Sequence, residues 1–317
     1  MRLLACTTAA VLSFASISIA RAAPFAYGMA YDQLYQIDLG ARRAEFVGSA
    51  GSYGTQRFGN LKALSFSPDG QLYAISDSIS SKPLLRIDPQ TGAGSYVAAL
   101  NLGDFGSGQY NSVDFASAFT CDGRLWVSSA TARKLWRVNP RDGSSQLVGD
   151  LATGITGLVA HGDTLYGAAG RGDNQFYRID TDTAATHAMG AFGTGNNWVT
   201  TLSMSFGDDG TLWSVLNYLP PEPGSSALVD WSDLATMDPA NGKLRVLGPI
   251  TGPANLRGVG INGLAMRGTG CPISGDTDPP LQRAEPARVP LDAPWALLAL
   301  ILLSLAASAR HLRQTIR

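Results

Sequence analysis

The chain has 317 residues, 45% of them apolar, 9% aromatic and 15% charged, with 36 Gly and 17 Pro. That is too apolar for a disordered chain, and the glycines have no collagen-like period. Between its two ends the chain carries 19 basic and 24 acidic residues, a net charge of −5 with no basic cluster. Nucleic acid is therefore not an expected partner, because phosphate binding needs grouped Lys and Arg.

Residues 1–22 are expected to be a secretory signal. Arg2 gives a minimal positive start, Leu3–Ile19 is apolar and small, and Ala20 and Ala22 have the spacing that signal peptidase cleaves. Cys6 lies too close to the start of the chain to be a lipid attachment site.

From Phe25 onward a pattern repeats: aromatic, any residue, apolar, Asp or Asn, a turn, then apolar-Gly. It occurs as Leu34-Tyr35-Gln36-Ile37-Asp38, Leu85-Arg86-Ile87-Asp88-Pro89 and Leu135-Trp136-Arg137-Val138-Asn139-Pro140. It returns as Phe176-Tyr177-Arg178-Ile179-Asp180 and Leu234-Ala235-Thr236-Met237-Asp238-Pro239. The central apolar residues stand at 37, 87, 138, 179 and 237. Each unit reads as strand, Pro/Gly turn, strand, which is a hairpin. A second hairpin precedes four of them, turning at Asp69-Gly70, Asp122-Gly123, Gly162-Asp163 and Asp209-Gly210. Two hairpins per repeat make a four-stranded blade of the length found in β-propellers. The N-terminal unit lacks a first strand, and the C-terminal Ile261–Met266 is a first strand with nothing after it. A shared blade closing a five-bladed ring over 23–271 follows, because closure removes the exposed edge. Six blades would need a hidden unit within 199–260. The repeat resembles the bacterial YxIDPxTG-type propellers, akin in appearance to quinoprotein-like and NHL/YVTN-like repeats. That resemblance implies the all-β propeller fold and no particular catalytic residues.

Residues 272–288 read as a polar, Pro-bearing linker. Val289-Pro290, Trp295, an apolar run to Ala309 and a finish with Arg310, Arg313 and Arg317 follow. About 17 apolar residues is the lower limit for a membrane-spanning helix, here expected over 294–309. The segment 289–317 resembles the C-terminal sorting signals of the PEP-CTERM class in Gram-negative bacteria, nearest to the IPTLxxWG-type branch. Val289, Pro290 and Trp295 match, whereas Leu291 and Asp292 differ. The resemblance implies processing by an exosortase-like membrane protease and delivery to the cell surface or beyond. A plain single-pass anchor with the body outside is the alternative.

Cys121 and Cys271 each follow a first strand but on blades two apart, and a bridge needs Cα atoms within about 7 Å. Two separate thiols are expected. The alternative is a disulfide reached by the tail that Cys271 begins, which export permits. His161, His187 and His311 stand apart without metal-ligand spacing, so no metal site is expected. The Asp-Gly turns could offer calcium ligands, but in each the Asp is expected to cap its own turn. No nucleophile motif stands out, and no cofactor or catalytic residue is assigned. Arg171-Gly172-Asp173 reads as a chance tripeptide.

Loops entering the first strands, with those joining second and third strands, gather on one face of a propeller. They carry Arg57 and Asn60, Tyr110 and Asn111, Asn196, Asn197 and Trp198, and Arg257 and Asn262. This set could hold a glycan or a small polar molecule; equally, Asn and Gly simply make turns there. The long segment 219–231 could cover the channel. The expected function is a non-enzymatic binding module for an extracellular polysaccharide or a surface protein. The alternative is a propeller-type hydrolase or lyase acting on an extracellular sugar or lactone.

Overall fold

Period-2 strands broken by Gly and Pro turns build sheets, and each sheet needs a neighbour to cover its apolar faces. A computed structural model describes residues 24–106, 113–194, 199–218, 231–253, 256, 259–268 and 271. The chain divides into two compact units, 1–272 and 273–317, and all described residues lie in the first. The signal (Ala20, Ala22), the linker and the sorting segment (Val289, Pro290, Trp295) lie outside the described residues. No helix among the described residues is long and apolar enough to cross a membrane.

Blade 1 contains β1 (Phe25–Ala30), β2 (Gln33–Asp38) and β3 (Arg43–Ser49). A small hairpin, β4 (Ser52–Tyr53) and β5 (Gln56–Arg57), leads into blade 2: β6 (Leu61–Phe66), β7 (Leu72–Ser76), β8 (Pro83–Ile87) and β9 (Gly94–Ala99). Blade 3 is β10 (Phe115–Phe119), β11 (Leu125–Ser129), β12 (Lys134–Val138) and β13 (Ser145–Asp150). Blade 4 is β14 (Ile155–His161), β15 (Thr164–Ala169), β16 (Gln175–Ile179) and β17 (Thr186–Ala191). Blade 5 is β18 (Val199–Phe206), β19 (Leu212–Tyr218), β20 (Ser232–Met237) and β21 (Leu244–Pro249). Last comes β22 (Leu264–Ala265), which completes blade 1 in the order β22-β1-β2-β3. The protein is a five-bladed all-β propeller with four-stranded blades. The shared strand pairs antiparallel through Tyr27 with Ala265 and Gly28 with Leu264, and is shorter than the expected 261–266.

The core is five apolar layers, one between each pair of neighbouring blades. The layer between blades 5 and 1 joins Val215 and Leu234 to Tyr35, Ile37, Ile261, Leu264 and Met266. Ala265, on the other face of β22, enters the layer between blades 1 and 2. The period of 2 thus puts the last strand into two layers at once.

The repeated apolar-Gly pair has a specific cause. Every outer strand slips register once against the third strand, leaving one residue as a bulge: Val47, Val97, Val148, Met189 and Leu247. The bulge turns each of these side chains onto the layer shared with the next blade. In four blades a Gly follows (in blade 2 it is Ala98), and at Gly48, Gly149 and Gly190 it admits the next blade's outer turn. A Cβ on Gly48 would stand 1.8 Å from the Thr91 carbonyl oxygen, and one on Gly190 2.1 Å from that of Asn241. Each of these turns has a left-handed residue at its close, Gly92, Gly143 and Gly242, with Arg42 and Ala184 in the same role.

Cys121 and Cys271 form a disulfide with their Cα atoms 5.2 Å apart, which corrects the expectation of two separate thiols. Blade number is a poor measure of distance at the ends of the inner strands, where all blades converge. From β22 the chain is held by Met266, whose N–H donates to Ser205 Oγ, and by Arg267 over the Phe66 ring. Gly268 passes so close to Asp208 that a Cβ would collide with its carboxylate. The tail therefore crosses the converging strand ends from blade 1 past blade 5 to blade 3.

Candidate binding site at the loop face

The inner strands leave little room along the axis. A Cβ on Gly263 would stand 2.6 Å from Leu64 Cβ, and one on Gly157 2.7 Å from the Leu202 carbonyl oxygen. Polar groups inside are matched to each other, Ser65 Oγ with Ser117 Oγ at 3.0 Å and Ser117 Oγ donating to the Ala63 carbonyl at 2.6 Å. The axis therefore has no room for a ligand, which leaves the two mouths and the blade edges, where a cavity of about 470 Å³ is lined by Arg124, Arg137 and Gln146 of blade 3. The mouth where inner strands end carries the Asp-Gly turns. There Thr120 Oγ1 donates to Asp122 and the Thr211 N–H to Asp209, so these carboxylates cap their own turns as expected.

The opposite mouth, where inner strands begin, holds a charged cluster. Lys62 lies near the start of β6 and Asp114 just before β10. Arg171 belongs to the loop between β15 and β16 of blade 4. The two oxygens of Asp114 take different cations: Lys62 Nζ on one, an Arg171 terminal nitrogen on the other. Behind them Lys82 Nζ meets Asp77 Oδ1 at 2.7 Å and donates to the Asp77 carbonyl at 2.6 Å, with both side chains buried. Asp77 Oδ2 accepts from the Val113 N–H at 2.9 Å and from Asn60 Nδ2 at 3.3 Å. Three blades are tied together by this network.

Lys62 and Asp114 side chains are 9% exposed, whereas Arg171 is 55% exposed. Burial holds the Lys62 ammonium down to about 8 from its ordinary 10.5; Asp77 opposes that shift and Arg171 adds to it. Across the mouth, burial and the Asp233 carboxylate beside it push the Tyr218 hydroxyl up to about 12, and burial raises Asp233 itself. The backbone is unusual around the cluster. Asn60, Ala63, Asp114 and Arg171 have φ of 47°, 59°, 54° and 57°, a region in which non-glycine residues are strained.

Of the residues anticipated for this face, Asn60 joins the cluster. Arg57 donates Nε and a terminal nitrogen to Asp32, and Asn262 Nδ2 donates to the Gly260 carbonyl at 3.2 Å on the blade 1 side. Tyr110, Asn111, Asn196, Asn197, Trp198 and Arg257 lie outside the described residues, as does the 219–230 stretch. The cluster residues that the sequence reading passed over had one visible signal. The chain has only four lysines, and Lys62 interrupts the otherwise apolar Leu61-Ala63-Leu64 start of a first strand. In the Arg171-Gly172-Asp173 tripeptide, Asp173 accepts from the Tyr177 hydroxyl at 2.9 Å, so both charged residues serve the fold. Among the described residues no group of His, Cys, Asp and Glu could hold a metal ion.

This fold, with its repeat and its loop-face mouth, defines the class: a β-propeller of short internal repeats. Residues 25–217 match the family described as a repeat of unknown function (DUF6923), and the chain belongs to that family. No curated protein sequence matches the chain. Similar solved structures include hydrazine synthase of Kuenenia stuttgartiensis, 20% identical over 62% of this chain and 52% of that one, with a TM-score of 0.37. Virginiamycin B lyase of Staphylococcus aureus is 13% identical over 69% of this chain and 64% of that one, with a TM-score of 0.39. A putative gluconolactonase is 15% identical over 75% and 81%, with a TM-score of 0.42. The chain thus spans about half to two thirds of the length of the synthase and the lyase. These are distant likenesses, and what those proteins act on remains a property of theirs.

Proposed function

We propose that the protein is an exported binding propeller that holds a polysaccharide or a surface protein at its loop face without turning it over. The observation that carries this reading is the Lys62–Asp114–Arg171 cluster. Its ion pairs are already closed, so its carboxylates serve as partners of cations in place of a general acid and base. Buried pairs of this kind hold geometry, and the half-exposed Arg171 offers a fixed donor to a ligand. The Cys121–Cys271 disulfide supports export, since such bonds persist in oxidising compartments. In this reading residues 1–22 direct export, and 289–317 deliver the protein to the cell surface through an exosortase-like protease.

Two measurements test it. Mass spectrometry of protein from its native host is expected to find a start near Ala23 and an end near Val289-Pro290; retention of Met1 or Arg317 contradicts the sorting. A glycan array run beside an activity screen on the purified 23–275 segment is expected to find binding and no product. Turnover abolished by a single change at the loop face, Asp233→Asn for example, would favour the hydrolase or lyase alternative.

A further inference from the structure

We propose that Tyr31 is the platform on which the loop face stacks a sugar ring, the ligand being a chain of pyranoses with an apolar C–H face, as in β-linked glucans. This rests on the binding reading above and adds the chemical class of the ligand.

The argument starts from strain. Tyr31 and Asp32 form the two-residue turn between β1 and β2, and Tyr31 takes φ +58° there. Gly or Asn adopts that conformation at little cost in such a turn, whereas a bulky side chain is strained in it. The strain persists because the turn is clamped. The Tyr31 carbonyl accepts from the Leu61 N–H at 2.6 Å, and the Asp32 carbonyl from the Ala50 N–H at 2.9 Å. The Asp32 carboxylate, 4% exposed, takes Nε and a terminal nitrogen of Arg57. The bond to Leu61 fastens the turn to the strand that carries Lys62, so ring and charged cluster share one mouth.

The fold makes no use of the ring. Tyr31 is 56% exposed and belongs to none of the five interblade layers. Single exposed apolar side chains are ordinary on a protein surface. Among the described residues seven large ones are exposed, yet Tyr31 alone of them has positive φ. Phe46, Tyr96, Leu147 and Val246 lie on outer strands, and Tyr53 is stacked on Tyr96 with ring centroids 4.4 Å apart. An aromatic ring held at the mouth against its backbone preference points to a ligand.

The surroundings of the ring select that ligand. Aromatic anchors of protein interfaces sit in well-packed, desolvated pockets. Around Tyr31 the groups are polar instead. A Cβ on Gly59 would stand 3.8 Å from Tyr31 Cε1 and 3.2 Å from Ser78 Oγ, and Asn60 follows in the chain. An aromatic face carries negative charge density, which attracts the positively polarised C–H hydrogens of a pyranose. The hydroxyls around a pyranose need hydrogen-bond partners. Arg57 keeps N–H donors beyond the two nitrogens that Asp32 takes, and Ser78 and Asn60 add a hydroxyl and an amide. One sugar ring thus answers both the apolar and the polar part of the site.

The test is calorimetric titration of the purified protein with cellohexaose and, separately, with a decaproline peptide, the probe for a protein partner that docks on aromatic rings. Cellohexaose is expected to bind and the peptide is not. Tyr31→Phe keeps the ring and is expected to stay within about twofold of the native affinity. Tyr31→Asn removes ring and strain together, and is expected to lose at least roughly tenfold in affinity while melting no earlier than the native protein. A Tyr31→Asn variant that melts markedly earlier would make the ring a structural element and overturn the assignment. No binding of cellohexaose, or an affinity indifferent to Tyr31→Asn, would overturn it as well. Peptide binding without glycan binding would do so while leaving the binding reading standing, and turnover of a bound chain would contradict that reading instead.

Discussion

Two glycines at the residue scale separate the intrinsic cost of a left-handed backbone from the cost of crowding. Gly70 has φ +80 with open space around it, whereas Gly92 has φ +73 and a Cβ there would stand 2.6 Å from the Gly48 carbonyl carbon. Gly70→Ala should destabilise by about 1 kcal/mol, the strain term alone. Gly92→Ala must also push two blades apart and should cost about 3 kcal/mol or more by urea unfolding. Equal costs would mean that the outer turn does not seat on the neighbouring blade. Lys62 gives a pH signature. The folded chain releases its proton near 8 and an unfolded lysine near 10.5, so between these values the unfolded state binds more protons. The stability of the native protein relative to Lys62→Met should therefore rise as pH goes from 8 to 10. A fall over that window would mean that the ammonium is stabilised by its partners more than burial disfavours it.

At the element scale the weakest strand does the most. β22 has two residues in the sheet, yet Leu264 and Met266 fill one interblade layer and Ala265 the next. Ending the chain after Pro253 removes Ile261, Leu264 and Met266, each worth roughly 1.5–3 kcal/mol of burial. It also exposes the free edge of β1. Ending it after Gly275 keeps the clasp and the disulfide and should leave a folded monomer. Thermal melts and gel filtration compare the two; equal stability would mean that the ring does not depend on this strand. The disulfide is a second fastening. It closes 150 residues of separation, for which chain entropy gives an upper value of roughly 5 kcal/mol, so Cys121→Ser should lower the melting temperature markedly.

These elements also show how far the sequence could be read. Strands and blade number were legible because period-2 alternation and Asp-Gly turns are local signals, and ring closure followed from one unit lacking what the other supplied. The bulges at Val47, Val148, Met189 and Leu247 were visible only as an apolar-Gly pair and that at Val97 not at all, since a register slip appears between strands and never within one. The disulfide was misjudged because separation by blades exaggerates distance where strand ends converge. The cluster was missed for a similar reason. Asp114 and Arg171 are 57 positions apart, and only the packing of blade 4 against blade 3 brings the loop of one beside the start of the other.

On the scale of the whole molecule, the disulfide fixes where the chain leaves the propeller. Asp114 precedes β10 and Cys121 follows it, so the charged cluster and the Cys121–Cys271 disulfide lie at opposite ends of one strand. The central claim is that ligands meet the loop face. Hydrogen–deuterium exchange of the 23–275 segment, with and without a glycan that the array shows to bind, tests it most directly. Slowed exchange confined to residues 57–62, 77–82, 113–115 and 170–174 is the expected result. Protection on the outer strands or the Asp-Gly turns, with those loops unchanged, would contradict it.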